Sequence, residues 1–499
     1  MASFDAAPAP CAALAPRRPG RSLARIGLLS GLGCAVACGG PPDAPSAGPA
    51  PLVLLVSWDT TRADALGAWA EEAHWGLDLA PELRPAPRTP HADALAARGA
   101  RFAWALAHAP TTLSSHTSLL SGLDPHQHGV PRNGVPVDAS VPLLPERAQA
   151  AGYRTLAVVG ASVLAKDQGL SRGFDVYDDV MEQRVRKRFE RPAAQVVDRL
   201  LAAVDEVPVD QPIFAFAHFF DAHSPYDTAP PRLRAELGVP GYAGLVTGSS
   251  KNVDWLVIQA RQGRLSEADR RQARALYLAE VASMDEALGQ LLAGLEQRGR
   301  LRDSLVVLFG DHGETLEERP QQPYGHGVNV QLVDVHVPLI FAGRGALACP
   351  PVGHTVRDTV SLSELAPTVA ACLGWPSLGA GRDLRAAWGS GLEPRHHFAE
   401  ATKGPPARDP AVWDNLGFAR AVGSERHFFA SAPGGASVLA ARAPGQPPVE
   451  DAEAAAALVR ALATWDAAAP PSRSAQPAAH TLEALKALGY VDPEPVPPE

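Results

Sequence analysis

Cysteine is nearly missing from the body of this chain. Of five in 499 residues, Cys11, Cys34 and Cys38 fall before Gly39, leaving Cys349 and Cys372. Neither of these two sits in a metal-binding motif, so a thiolate metal site is excluded. Their separation leaves pairing open, and two separate buried thiols is the simpler expectation. A surplus of positive charge is missing too: 45 Lys and Arg stand against 54 Asp and Glu, a formal net charge of -9. That balance argues against general nucleic-acid binding, which needs a basic face. It does not describe the substrate, because the charge of a bound metal outweighs it locally. No internal repeat is present, and the apolar run 26–34 is too short to span a bilayer.

What is present suits a large globular enzyme. The length allows one sizeable α/β domain with a smaller appendage. A hydrophobic content of 46% is ordinary, so disorder is expected only in particular segments. The N-terminus reads as an export signal: a basic stretch from Arg17 and Arg18 to Arg25, then the apolar run, then Ala35-Val36-Ala37-Cys38-Gly39-Gly40. The last piece resembles a bacterial lipoprotein cleavage box with Cys38 as the lipidated residue. The expectation is a signal peptide over 1–38 and an exported lipoprotein, membrane-anchored through Cys38 and facing the periplasm or cell surface. Residues 39–50, rich in Gly, Pro, Ala and Ser, read as a flexible tether.

Beyond the tether, apolar strand patterns at 52–56, 155–159, 212–217, 305–309 and 337–341 alternate with helical ones, among them 268–297 and 362–373. Strands separated by long helical crossovers predict an α/β fold, a largely parallel sheet flanked by helices on both faces. In such sheets ligands sit at the carboxyl ends of the strands. The main domain is expected over 51–394. Shorter pieces at 396–400, 416–422 and 427–430 predict a small antiparallel subdomain over 395–445. A partly disordered tail follows over 446–499, with helices at 451–465 and 481–488.

Residues able to bind metal gather at the predicted strand ends. Asp59 follows the first strand, and Asp311-His312-Gly313 follows another. A carboxylate beside an imidazole at a strand end suits a Zn or Mn ion. His218, Asp221 and His223 crowd into six residues after a third strand; Asp221 and His223 are favoured as functional, with His218 in support. His326 lies between Gly325 and Gly327, which let backbone approach a ligand closely. The stretch 109–122 sets several hydroxyls, Thr111, Thr112, Ser114 and Ser115 among them, before an apolar helical run ending in Gly122. This is the layout of a hydrolase in which a metal-activated hydroxyl attacks a phosphate or sulfate ester.

Together these pieces resemble the sulfatase family of the alkaline phosphatase superfamily, from about Pro51 to Tyr490. The resemblance is carried by Leu54-Leu55-Val56-Ser57-Trp58-Asp59-Thr60-Thr61-Arg62, the 112–122 segment, and Leu123-Asp124-Pro125-His126-Gln127-His128-Gly129. It continues in 218–226, 310–314, Gly325-His326-Gly327, Val337-Pro338-Leu339-Ile340 and Ser363-Glu364-Leu365-Ala366-Pro367-Thr368. Sulfatases of this family read Cys or Ser, then x-Pro-Ser-Arg, and convert the first residue to formylglycine. Here the matching positions are Thr112-Leu113-Ser114-Ser115-His116, and threonine cannot be converted. His116 replaces the arginine, Thr60 replaces a metal-binding aspartate, and His312 stands where asparagine is usual. His326 lies where a sulfate-binding lysine is placed, and no lysine occurs between Lys251 and Lys403.

These departures are similar to the phosphodiesterase and phosphotransferase branches of the superfamily. The resemblance then implies Thr112 as nucleophile, Asn133 as oxyanion stabiliser, and a metal on Asp59, Thr112, Asp311 and His312. A second metal would use Asp221, His223 and His326. With one metal, His223 and His326 would instead hold substrate oxygens or protonate the leaving group, and His116 would contact substrate. Zn or Mn is the implied ion, one or two per chain, with Mg or Ca less suited. The implied reaction is a double displacement through a phosphothreonine, on a small-molecule, glycan or lipid ester. Two alternatives are a sulfate ester hydrolase without formylglycine and a non-catalytic surface protein that keeps the fold.

Overall fold

The computed structural model describes residues 50–72, 84, 86–181, 190–318, 323–401, 419–431, 437–441 and 449–468. The expected signal peptide with Cys38, nearly all of the tether, and the expected helix at 481–488 lie outside them. No helix among the described residues is long and apolar enough to cross a membrane.

Six strands form in order before the first cluster of candidate ligands is complete: β1 Leu52–Trp58, β2 Ala100–Leu106, β3 Arg154–Val158, β4 Val176–Asp178, β5 Ile213–Phe219 and β6 Ser304–Gly310. A short hairpin, β7 Thr315–Leu316 with β8 Tyr324–Gly325, follows. Then come β9 His336–Val337, β10 Leu339–Arg344 and β11 His354–Ser361. The main sheet runs β11-β2-β10-β6-β1-β5-β3-β4, with β9 beside β2. β1 is central, and β5 and β6 flank it in parallel.

The continuous apolar run of β1 is explained by cover on both faces. Val53 and Leu55 point into one core, while Leu52, Leu54, Val56 and Trp58 point into the other, all fully buried. The helices Ala193–Asp205 and Glu267–Gln297 cover the second face through Val196, Leu200, Leu276 and Leu288.

Two expectations need correction. The apolar segment 337–341 is not one strand: Pro338, which lacks an amide hydrogen, divides it into β9 and β10. β10 runs antiparallel to both β6 and β2, and the sheet is mostly parallel, as the strand pattern predicts. Cys349 and Cys372 are not separate thiols but a disulfide. The chain after β10 folds back until their Cα atoms are 5.7 Å apart, within bonding reach.

The C-terminal strands β12 His397–Ala401, β13 Ala419–Gly423, β14 His427–Ser431 and β15 Val438–Ala441 make a separate antiparallel sheet. Ala399, Ala401, Ala421 and Phe428 join one of the main cores. Val422, Phe429 and Leu439 pack against Leu458, Leu462 and Trp465 of the helix Ala452–Ala467.

Candidate active site

The parallel register brings three strand ends level, with Trp58 beside both Phe219 and Gly310. One residue further, Asp59 and Asp311 emerge on adjacent strands. Gly310 permits this closeness, since a Cβ there would lie 2.4 Å from the Thr61 carbonyl oxygen. Asp59, Asp311 and His312 are fully buried, and one ligand atom from each lies within 4.8 Å of the others.

Hydrogen bonds fix how these groups point. Asp59 Oδ2 accepts from His218 Nε2 at 3.1 Å, while His218 Nδ1 accepts from the Gly160 amide at 3.3 Å. Thr60 Oγ1 donates to Asp59 Oδ1 at 2.5 Å. Asp311 Oδ1 accepts from the amides of Thr60 (3.0 Å) and His312 (2.8 Å). Asp311 Oδ2, fully buried, has no hydrogen-bond partner among the described residues. His312 Nδ1 lies 3.0 Å from the Gly313 carbonyl, which fixes the tautomer with a lone pair on Nε2, an atom 3.5 Å from Asp311 Oδ2.

Burial and the neighbouring Asp59 charge raise the Asp311 carboxyl well above its ordinary range. Burial acts on Asp59 in the same direction, but the His218 hydrogen bond and the nearby imidazoles overcome it and hold that carboxyl below its range. Two carboxylates this close and this dry repel each other unless a cation sits between them. The orphaned Asp311 oxygen and a set of two carboxylates with one imidazole fit a divalent transition metal.

The helix Thr112–Ser121 starts beside this cluster and is stopped by Gly122, whose φ of 73° is a left-handed cap. Every residue in it is buried. Ser115 Oγ donates to the Asp311 carbonyl at 2.6 Å, tying the helix to the strand end that carries the candidate metal ligands. At its N-terminus, Asn133 Oδ1 accepts from the Leu113 amide at 2.8 Å. Asn133 Nδ2, Thr111 Oγ1 and Thr112 Oγ1 are buried with no partner among the described residues. Buried donors left unpaired at a helix N-terminus make a ready anion site.

His116 was expected to touch substrate, but it lies under this turn. Its Nδ1 donates to the Thr112 carbonyl at 2.7 Å and its Nε2 accepts from Ser57 Oγ at 2.8 Å. Burial pushes its pKa down to about 3, so the ring is neutral.

His326 returns to the cluster through the β7–β8 hairpin, flanked by left-handed Gly325 (φ 96°) and Gly327 (φ 88°). It stacks on His312 with ring centroids 4.5 Å apart. Its Nδ1 donates to the Pro110 carbonyl at 3.0 Å, and its Nε2 lies 3.2 Å from His223 Nε2. His223 Nδ1 in turn donates to the Ser224 carbonyl at 2.8 Å.

Asp221 does not join them. Its Oδ2 accepts from the Ala193 amide at 2.8 Å, capping the helix Ala193–Asp205, and burial pushes its carboxyl up to about 7. The second metal expected on Asp221, His223 and His326 therefore lacks a cluster: among the described residues, Asp59, Asp311 and His312 form the one group of three or more acidic, His or Cys side chains close enough to hold a metal ion.

Some site residues carried no readable signal. Tyr277, 217 residues from Thr60, donates from its hydroxyl to the Thr60 carbonyl and accepts from the Arg62 amide. Ser57 sat in the quoted strand motif, yet its role shows only once His116 folds against it.

Residues 51–375 match the family model described as Sulfatase, so the chain belongs to the sulfatase family, whose members are metal-dependent. Human arylsulfatase K is 32% identical over 114 residues, which is 23% of this chain and 20% of that protein. The chain thus aligns with about a fifth of the length of that relative. The ulvan-active sulfatase of Formosa agariphila is 24% identical over 310 residues, 57% of each protein. Among solved structures, the phosphonate monoester hydrolase of Silicibacter pomeroyi superposes with a TM-score of 0.60 at 21% identity. That match covers 84% of this chain and 94% of the other, and it speaks to the fold.

Proposed function

We propose that this protein is a metal-dependent ester hydrolase that favours phosphoesters over sulfate esters and uses Thr112 as its nucleophile. The observation that carries this reading is the buried, unpartnered Thr112 hydroxyl at a helix N-terminus tied by Ser115 to Asp311. A threonine cannot supply the formylglycine of a sulfatase, and the sulfate-binding lysine is missing as well. A phosphonate monoester hydrolase among the similar structures is consistent with phosphoryl chemistry on this fold.

Asp59, Asp311 and His312 would hold one Zn or Mn ion, with Thr112 completing the set. When bound, such an ion lowers the pKa of a neighbouring hydroxyl and offsets the negative charge of the substrate. Thr112 loses its proton to solvent, and its oxygen forms a bond to phosphorus as the bond to the ester oxygen breaks. Asn133 Nδ2 and the Thr111 hydroxyl receive the non-bridging oxygens, a stabilisation worth several kcal/mol when such donors are preorganised. His223 and His326 each give Nδ1–H to a carbonyl, so their Nε2–Nε2 contact takes one further proton. That proton goes to the departing alkoxide. Water then cleaves the phosphothreonine and restores the hydroxyl.

The substrate class is a small-molecule, glycan or lipid ester, and the protein works as an exported lipoprotein held to the membrane through Cys38. A second reading, a sulfate ester hydrolase with Thr112 as plain nucleophile, is supported by the sulfatase names of its relatives. Hydrolysis of aryl phosphate mono- and diesters and an aryl sulfate, with Zn or Mn, by wild type and Thr112→Ala separates the readings. Phosphoester turnover lost in the variant is the expected result. Sulfatase activity alone would reverse the preference, and silence with no metal retained would leave a non-catalytic protein.

A further inference from the structure

Thr60 lies in a conformation that branched L-residues rarely take. Its φ is 53°, and it is one of two non-glycine residues with positive φ among those described. Strain of this kind persists only where surrounding contacts over-determine it. Here the contacts are explicit. The Tyr277 hydroxyl, reaching in from the helix Glu267–Gln297, donates to the Thr60 carbonyl at 3.0 Å and accepts the Arg62 amide at 3.1 Å. Both Thr60 and Tyr277 are fully buried.

That one backbone conformation serves both carboxylates of the cluster. The Thr60 amide donates to Asp311 Oδ1 at 3.0 Å while its hydroxyl donates to Asp59 Oδ1 at 2.5 Å. With His218 on Asp59 Oδ2 and the His312 amide also on Asp311 Oδ1, three of the four carboxylate oxygens already hold hydrogen bonds. Only Asp311 Oδ2 is left without one. Each bonded oxygen keeps a second lone pair, so Asp59 and Asp311 can each give one oxygen to an ion, while the bonds on both Asp59 oxygens oppose its binding through two. The arrangement offers few donors, one of them an imidazole nitrogen. Calcium takes six to eight oxygens and commonly a two-oxygen carboxylate, whereas zinc and manganese accept nitrogen and smaller sets.

We infer that Thr60 is a positioning residue that aligns Asp59 and Asp311 for a small transition-metal ion, and that its hydroxyl disfavours calcium. The inference rests on the metal-hydrolase reading above and adds to it the residue that sets which ion is taken.

The test is binding rather than turnover. Metal-stripped full-length protein is titrated with Zn²⁺, Mn²⁺ and Ca²⁺ by calorimetry, for wild type, Thr60→Ser, Thr60→Val, Thr60→Asp and Tyr277→Phe. Circular dichroism and the melting temperature of each metal-free variant report folding separately. Removing an outer hydrogen bond of a metal site typically weakens affinity about 10- to 100-fold. Thr60→Val and Tyr277→Phe are expected to lose about tenfold or more for Zn²⁺ and Mn²⁺, and Thr60→Ser less than about threefold. Thr60→Asp is expected to shift preference toward Ca²⁺ by about tenfold or more, since it adds a hard oxygen donor. Wild-type affinity in Thr60→Val, or an unchanged Zn²⁺-to-Ca²⁺ ratio in Thr60→Asp, overturns the inference. Should Thr60→Val fail to fold, the Thr60→Ser and Thr60→Asp ratio decides. Wild type binding none of the three ions would overturn the metal-hydrolase reading itself.

Discussion

His116 and Thr112 are joined by a hydrogen bond from Nδ1 to the backbone carbonyl at 2.7 Å, and Ser57 Oγ donates to the far side of the same ring at 2.8 Å. A neutral imidazole thus braces the first turn of the helix that carries the proposed nucleophile against β1. The brace depends on neutrality, because Nε2 has to accept while Nδ1 donates.

That dependence predicts an acid-sensitive fold. In the native state burial holds the His116 pKa near 3, while an unfolded chain regains a value near 6.5. Below 6.5 the unfolded chain takes up a proton that the fold refuses, so stability falls with pH until about 3 and is fully present above 6.5. From pH 7 to 4.5 the loss attributable to this ring is about 3 kcal/mol. Urea unfolding at the two pH values should show a smaller difference in His116→Gln by roughly that amount. Equal pH dependence in wild type and variant would remove His116 as the cause.

A single cluster of ligands predicts a single ion. Metal content after dialysis against Zn²⁺ or Mn²⁺, measured by plasma mass spectrometry, should approach one equivalent in wild type and fall to background in Asp311→Asn. Asp221→Ala should keep its metal and lose about 1 kcal/mol of stability, the cost of a helix cap. Two equivalents in wild type, one of them lost in Asp221→Ala, would restore the two-metal arrangement.

The strand ends carrying Asp59 and Asp311 were legible because each follows a long apolar run that only a doubly covered strand explains. β2 and β11 were not, since Arg101 in one and His354, Arg357 and Asp358 in the other interrupt the apolar pattern with residues that face partly outward. Asp221 shows the limit for chemistry. Its spacing to His223 looks like a ligand pair, yet the turn between them sends one side chain to a helix N-terminus and the other toward His326. Sequence proximity names candidates; direction is set by tertiary contacts such as the Ala193 amide.

The C-terminal helix is pinned by Trp465, whose ring stacks on His126 at 3.4 Å and on Phe398 at 5.0 Å. Its Nε1 donates to Asp124 Oδ2 at 2.9 Å. Trp465→Ala should cost about 3–5 kcal/mol, as for other buried tryptophans. Thermal melting with metal present should report it, and a melting temperature within 1–2 °C of wild type, roughly the size of a surface substitution, would argue that the helix is not part of the cooperative unit.

The proposed lipidation of Cys38 predicts where the protein is found in the cell. A diacylated cysteine after a short tether holds a protein at a membrane surface, because two or more chains give stable anchoring where one gives only reversible binding. Expression of the full chain in a bacterial host with radiolabelled palmitate should label the protein and send it to the membrane fraction. Cys38→Ala should abolish the label and release the protein in soluble form or leave its precursor uncleaved. Esterase activity of the released form should match wild type on a soluble aryl phosphate, because Cys38 lies outside the catalytic domain. On a substrate presented in vesicles, the anchored form should be faster, since both partners then share one surface and their effective concentration rises. Equal rates on both substrates would point to a soluble ester as the natural one, and a label that survives Cys38→Ala would place the modified residue elsewhere.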